Sequence, residues 1–411
     1  MTNMMYGRYL WGRHRWAQAI KAQAGGGDAV FTGYQPNVFH VIAYNADGTI
    51  AAVFGAGSEA DYIKSIQFEL TETGCGAFTI VFTKLPEVTE LTYMQRIDIH
   101  LYGDARPWYS GYVQSIPIKG TTETEFTVKG FGYYDALENV IVFGEYLNRD
   151  AADIVKEFAR LAEKRIGTEF STNQIVSTRY RIERLLFDGV TLKDALKTLS
   201  DFAVDYVYGV NERRQMFFKP RDPDINEQAR FWVGQHLDSY APTWDASKIV
   251  NWARIKGGNI DDEGEQWLTT VEDAVSQKEY GFRADVWTLP EAYDVADAKR
   301  WGESQIAQKK GPQKTAKLKG VRLEYPNADG TFNVRKLSTE GQAIINTLEG
   351  TAEMYPITKL IYKISSSDGI KCEMELGKKL STVDRYFAEL DRNAKATEAL
   401  SGAAIKQLKG G

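Results

Sequence analysis

A chain of 411 residues is too long for one ordinary hydrophobic core, so two to four domains are expected. Its 50 Lys and Arg against 55 Asp and Glu give a formal charge of -5, which argues against a general nucleic-acid-binding surface. Only two cysteines occur, Cys75 and Cys372, and no stretch approaches 18 apolar residues, so neither a disulfide framework, a cysteine-based zinc spacing nor a membrane span is expected.

Residues 1–28 form a basic, aromatic arm. Arg8, Arg13, Arg15 and Lys21 precede the first acid, Asp28, with Tyr6, Tyr9, Trp11 and Trp16 between them. The arginines interrupt the apolar run that a secretory signal needs. Such a segment reads as a short surface helix or mobile arm, or as a docking arm with Arg8, Trp11, Arg13, Arg15 and Trp16 as partner-binding anchors. Residues 29–147 are dominated by strands. Ile66, Phe68 and Leu70 share one face, with Gln67 and Glu69 on the other. Phe78, Ile80 and Phe82 repeat the pattern, as do Ile97, Ile99 and Leu101. Successive strand side chains point to opposite faces, so period two means one buried and one wet face, usually in an antiparallel sheet.

The period changes in 148–222. Ile154, Phe158 and Leu161 recur at helical spacing behind Asp150, a capping residue. Thr191 opens a second helix with the stripe Leu192, Leu196, Leu199 and Phe202. A hairpin follows from Tyr206 to Lys219, closed by Pro220 and Pro223. In 223–380 the reading is that strands resume after Pro242. A helix is expected over roughly 293–310, with Val295, Ala298 and Ile306 inward. Asp368-Gly369 marks a hairpin between Ile357–Ile364 and Ile370–Leu376. Residues 381–411 hold a last helix whose narrow stripe, Val383, Phe387 and Leu390, suits packing on other helices and is a second partner-binding candidate.

Two separated strand-rich blocks, 29–147 and 223–380, read as a duplication, and no catalytic motif competes with it. Gly55-Ala56-Gly57-Ser58-Glu59-Ala60 has the form of a dinucleotide fingerprint, but a strand restarts by Ile66, too soon for a βαβ crossover, and a loop is expected. His14, His40, His100 and His236 are scattered outside any metal-ligand spacing, with His100 on the wet face of its strand. Asp261-Asp262-Glu263 sits in an acidic, glycine-flanked loop and reads as solvated rather than as a glycosidase pair. No catalytic, metal-binding or cofactor-binding residue is assigned, and no cofactor is expected. The fold class that follows is α+β and strand-rich, with two small antiparallel β-barrels or sandwiches separated by a helix-plus-hairpin module.

The order of these elements resembles the tail-hub, or baseplate-hub, proteins of long-tailed bacteriophages. The resemblance rests on Tyr109-Ser110-Gly111-Tyr112-Val113 followed by Phe126–Gly132, and on Leu192–Pro220 ending in Phe217-Phe218-Lys219-Pro220-Arg221. Ser247–Asn251, Tyr280-Gly281, Asp297-Ala298, Lys309–Pro312 and Glu375-Leu376-Gly377 extend it across most of 29–380. It implies two tube-like domains, 29–147 and 223–380, around the module 148–222, in a homotrimer without enzymatic activity. The implied role is a structural virion protein at the tail tip or baseplate, made in the host cytoplasm. It would adapt a sixfold tail tube to a threefold tip and enclose a channel for phage DNA in transit. Its implied partners are a tail-tube or distal tail protein and a tape-measure, spike or fibre protein. The rival readings are a carbohydrate-binding receptor-recognition module of a tail tip and a cell-wall glycan hydrolase. Neither the arm nor the C-terminal segment maps onto the family.

Overall fold

The computed structural model describes residues 34–35, 38–55, 63–83, 91–117, 124–260, 266–289, 294–326, 332–365 and 368–377. The arm residues Arg8, Trp11, Arg13, Arg15 and Trp16, the acidic run Asp261–Glu263, all but the first residue of the Gly55–Ala60 turn, and Val383, Phe387 and Leu390 lie outside the described residues.

The first strand block holds β1 (Phe39–Tyr44), β2 (Ile50–Gly55), β3 (Ile63–Thr71), β4 (Gly74–Phe82), β5 (Arg96–Leu101), β6 (Tyr109–Ser115) and β7 (Phe126–Gly132). They hydrogen-bond in the order β3-β4-β7-β6-β5-β1-β2, each neighbour antiparallel. Period two drives this. Ile66, Phe68, Phe78, Ile80 and Phe82 are all buried on one face. The β1–β2 turn is built on Asp47-Gly48. Gly48 has a φ of +82°, and Asp47 Oδ1 accepts the Thr49 N–H at 2.9 Å. β2 pairs antiparallel with β1, from His40 opposite Gly55 to Tyr44 opposite Ile50.

A helical module follows: α1 (Tyr133–Ala136), β8 (Ile141–Asp150), α2 (Ala151–Ile166), β9 (Ser171–Ile175), β10 (Arg181–Thr191), α3 (Leu192–Ala203), β11 (Tyr206–Val210) and β12 (Gln215–Pro220). Both expected helices begin where their caps place them. Asp150 accepts from the Ala152 N–H, and Thr191 accepts from Asp194 N–H at 3.2 Å while donating its hydroxyl to Asp194 Oδ2 at 2.9 Å. The paired strands β8 and β10 were not legible in the sequence. Their inner face packs Val142, Ile182, Leu185 and Phe187, but their outer face leaves Ile141, Phe143, Leu147 and Leu186 exposed, which obscures the alternation.

The rest holds β13 (Ile225–Trp232), β14 (Ser239–Asp245), β15 (Trp252–Ile260), β16 (Gln266–Glu272), α4 (Ala274–Tyr280), β17 (Ala284–Leu289), α5 (Val295–Lys309), β18 (Gln313–Val321), β19 (Glu324–Pro326), β20 (Phe332–Val334), β21 (Gln342–Asn346), β22 (Ala352–Ser365) and β23 (Gly369–Leu376). Strand structure begins before Pro242, which lies inside β14. Among the described residues that strand pairs only with β18, and an edge strand tolerates proline. In α5, Ala298 and Ile306 point inward as expected, whereas Val295 is exposed and Trp301 takes the inward place.

The strand-rich α+β class holds, with largely antiparallel sheets. Strands from both ends of the chain meet: β22 pairs antiparallel with β3, from Lys359 opposite Thr71 to Ser365 opposite Ser65. The result is one path, β14-β18-β23-β22-β3-β4-β7-β6-β5-β1-β2, and among the described residues no sheet closes into a barrel. Buried apolar side chains divide into two cores. One joins the first block to β13, β18 and β21–β23, the other joins the helical module to β15–β17 and α5. Arg300 and Asp297 pin α5 to that module. Arg300 donates to the Phe202 carbonyl at 3.0 Å and lies over the Tyr180 ring. The buried Asp297 carboxylate accepts from the Tyr180 hydroxyl and from the Glu183 N–H at 3.2 Å.

Candidate assembly surface

The sheet contains an internal repeat. In the first block β3, β4, β6 and β7 stand in the spatial order β3-β4-β7-β6, with β5 beyond β6. In the late block β14, β18, β22 and β23 stand in the order β14-β18-β23-β22, with β21 beyond β22. The correspondence reaches single residues. β6 pairs Val113 with Gly130, then slips by one residue to Ser115 with Lys129. β22 pairs Ile357 with Leu376, then slips in the same way to Lys359 with Glu375. Beyond the β5 ladder the Val113 N–H donates to Gln95 O at 3.0 Å, and beyond β21 the Ile357 N–H donates to Gly341 O at 3.4 Å. The side chains differ, as Gly130 opposite Leu376 in the repeat shows. A Cβ on Gly130 would stand 2.0 Å from Tyr112 O and 2.2 Å from the Phe78 ring, so bulk at this position comes from Phe78 instead.

The joint between the repeats is apolar inside and ionic outside. Phe68 on β3 stacks on Tyr362 of β22 with ring centroids 4.8 Å apart, both fully buried. On the opposite face three lysines meet carboxylates on adjacent strands. Lys359 reaches Glu69 at 2.7 Å across the joint, Lys363 reaches Glu373 at 2.7 Å and Lys317 reaches Glu375 at 2.9 Å. Exposed pairs of this kind stabilise little, about 0–1 kcal/mol each, but they cancel charge locally across four strands. A second tie runs inside. Asp104, in the turn after β5, accepts from Lys336 Nζ at 2.9 Å and from the Arg106 N–H at 2.9 Å, and Lys336 also lies 5.1 Å above the Trp108 ring. Burial pushes the Asp104 carboxyl up, but Lys336 and that N–H outweigh it and hold it below its ordinary value. Burial lowers Lys336.

Of the scattered histidines, two come together. His40 on β1 is directly opposite His100 on β5. His100 is buried rather than on a wet face, because every residue of β5 after Arg96 is buried, whichever side of the strand it occupies. Its Nδ1 lies 3.0 Å from Asp104 O, and beside it Ser110 donates to Asp98 at 2.7 Å. Burial drives His40 down to about 4, helped by the neighbouring His100, and burial lowers His100 as well. Among the described residues no cluster of His, Cys, Asp or Glu could hold a metal ion. Cys75 and Cys372 are both buried free thiols whose ionisation burial pushes up.

No protein-family model matches the sequence, and no curated protein matches it. Solved structures do. A tail protein from Neisseria meningitidis MC58 superposes with a TM-score of 0.57 at 12% identity, over 83% of this chain and 97% of that one. The 43 kDa tail protein of prophage MuSo2 from Shewanella oneidensis gives 0.56 at 14% identity, over 82% and 98%. The chain has the fold of phage tail proteins. A prophage tail protein from Listeria monocytogenes EGD-e extends the likeness, with a TM-score of 0.54 at 12% identity over 87% of this chain and 99% of that one. This tail-protein fold spans nearly the whole length of each of the three relatives. It brings together strands that the sequence places nearly 300 residues apart, which no local motif signals.

Proposed function

We propose that this protein is a structural component of a phage tail, a trimeric hub at the tail tip or baseplate without enzymatic activity. The observation that carries the reading is the repeat built into the tail-protein fold. One chain supplies two equivalent strand blocks joined edge to edge. Three such chains would present six equivalent blocks to a sixfold tail tube while keeping threefold symmetry for a tip, spike or fibre. Each block would be one tube-like wall segment, 29–147 and 223–380, with 148–222 bracing the first. The wall would enclose a channel for DNA in transit. The lysines on the sheet's polar face are matched by carboxylates on neighbouring strands, which suits a surface that a polyanion slides past without the counterion release that drives sticking. The arm, through Arg8, Trp11, Arg13, Arg15 and Trp16, and the C-terminal stripe Val383, Phe387 and Leu390 would dock the tail-tube, distal-tail or tape-measure partner.

Light scattering of the purified protein tests the trimer. The expected mass is three times the 46.2 kDa of one chain. A monomer at every concentration, and in reconstituted tails, would overturn the reading.

A further inference from the structure

The two strand blocks match residue for residue away from their shared slip, and there one outer face is covered and the other open. With Val113 equivalent to Ile357, Ser110 corresponds to Met354, and Asp98, opposite Ser110, corresponds to Ile344, opposite Met354. In the first block this pair is polar and buried: Ser110 is 1% exposed and donates to Asp98 at 2.7 Å. In the late block it is apolar and open: Met354 is 53% exposed and Ile344 half-buried. Next to Ile344, Arg230 of β13 is matched by Glu227 at 2.7 Å, and Trp232 beyond it is exposed too. An open apolar sheet face without unmatched charge is a surface for contact rather than for water.

The first block shows what covers this place. The chain leaves β7 at Gly132 and turns directly into α1. Tyr133, the first residue of α1, meets the ring of Tyr112 edge-on with centroids 5.3 Å apart, and its hydroxyl feels the charges of Asp98 and Arg96. Gly130 of β7 corresponds to Leu376 of β23, so the equivalent of α1 is the segment that follows Gly377. From this we infer that residues 381–390 of the free chain lie on its own β13–β21–β22 face, with Val383, Phe387 and Leu390 against Met354, Ile344 and Trp232. The reach is short. The Gly377 N–H donates to Pro356 O at 2.8 Å, and Met354 is two residues farther along β22, about 7 Å away. Five residues separate Gly377 from Val383 and can span up to about 17 Å. A helical stripe from Val383 to Leu390 is about 10 Å long, the width of the two strand spacings from β22 across β21 to β13. Cover and face also change together: a phenol lies over the polar pair, an aliphatic and aromatic stripe over the apolar one. The inference concerns the single chain and goes beyond the hub reading. A tail partner that takes this stripe would have to lift it from the sheet, so partner and sheet compete for one apolar surface.

Methionine oxidation tests this on the full-length protein. Dilute hydrogen peroxide converts accessible methionines to the sulfoxide, which peptide mass spectrometry counts at each site. The chain carries its own references: Met94 is 51% exposed, and Met216 and Met374 are buried. In the parent, Met354 should oxidise several-fold more slowly than Met94, at every protein concentration. In Phe387→Asp and in Val383→Asp it should rise to the Met94 rate, while Met216 and Met374 stay unreactive and so report an intact fold. The Met354 to Met94 ratio in the parent decides without any variant: equal rates would overturn the inference. Protection that survives both variants would overturn it as well, because something other than the stripe would then cover the face. Protection lost on dilution would assign the cover to a second copy and overturn the contact within one chain. A monomer in light scattering with Met354 protected would sink the ring and leave this cover standing, and a trimer with Met354 reactive would do the reverse.

Discussion

β3 and β14 hold the same place in two copies of one strand arrangement, yet their environments are opposites. β3 lies between β4 and β22 with Ile63, Ile66 and Phe68 buried; β14 has a neighbour on one side and keeps six of its seven residues exposed. Propensity does not separate them, since β14 contributes Tyr, Thr and Trp, all good strand formers. What differs, among the described residues, is the neighbours: β3 has a strand on both sides and β14 on one.

The comparison breaks first at the filled joint. Phe68→Ala removes a fully buried ring stacked on Tyr362 and should cost about 3–5 kcal/mol. Chemical denaturation should show a lower midpoint, whereas Trp244→Ala, at a residue that is 60% exposed, should leave the chain's stability within about 0.5 kcal/mol. Equal losses from both substitutions would erase the distinction between the two edges. Next is the tie between Asp104 and Lys336. Asp104→Asn leaves the half-buried Lys336 beside Trp108 without its carboxylate and should cost about 1–3 kcal/mol by the same measurement. Lys336→Met, which keeps volume, leaves the fully buried Asp104 carboxylate with the Arg106 N–H but without its ammonium partner and should cost at least as much.

Acid should act through the paired histidines. Both are held neutral in the folded protein, His40 down to about 4, while in the unfolded chain each titrates near 6.5. Below pH 6.5 the unfolded chain therefore binds protons that the fold refuses, and stability should fall as pH drops from about 6.5 toward 4. A melting-temperature profile of His40→Gln should be flatter over that window than that of the parent. Parallel profiles would remove His40 as the cause. The smallest expected effect is at a helix start. Thr191→Ala removes one capping bond from α3 and should cost about 1 kcal/mol, without touching either edge.

Much of this architecture was legible in the sequence because it is local. Period two gave β3, β4, β5 and β23, and the caps Asp150 and Thr191 gave α2 and α3. The parts that were not legible depend on partners distant in the chain. Nothing near Lys359 announces Thr71 as its neighbour, and the repeat is carried by strand order and a shared slip in register rather than by similar residues. His100 read as wet because its strand alternates, yet the central strands are covered on both faces. β14 is not expected from the sequence, which has strands resume only after Pro242, and a strand at an edge tolerates the proline inside it.

The central claim is that two equivalent blocks per chain assemble into a ring with threefold symmetry. Electron-microscopy class averages of the purified particle test it most directly. The expected particles are rings of three chains that look sixfold at low resolution and resolve to threefold as detail increases. Isolated monomers, twofold dimers or rings with another number of chains would contradict it.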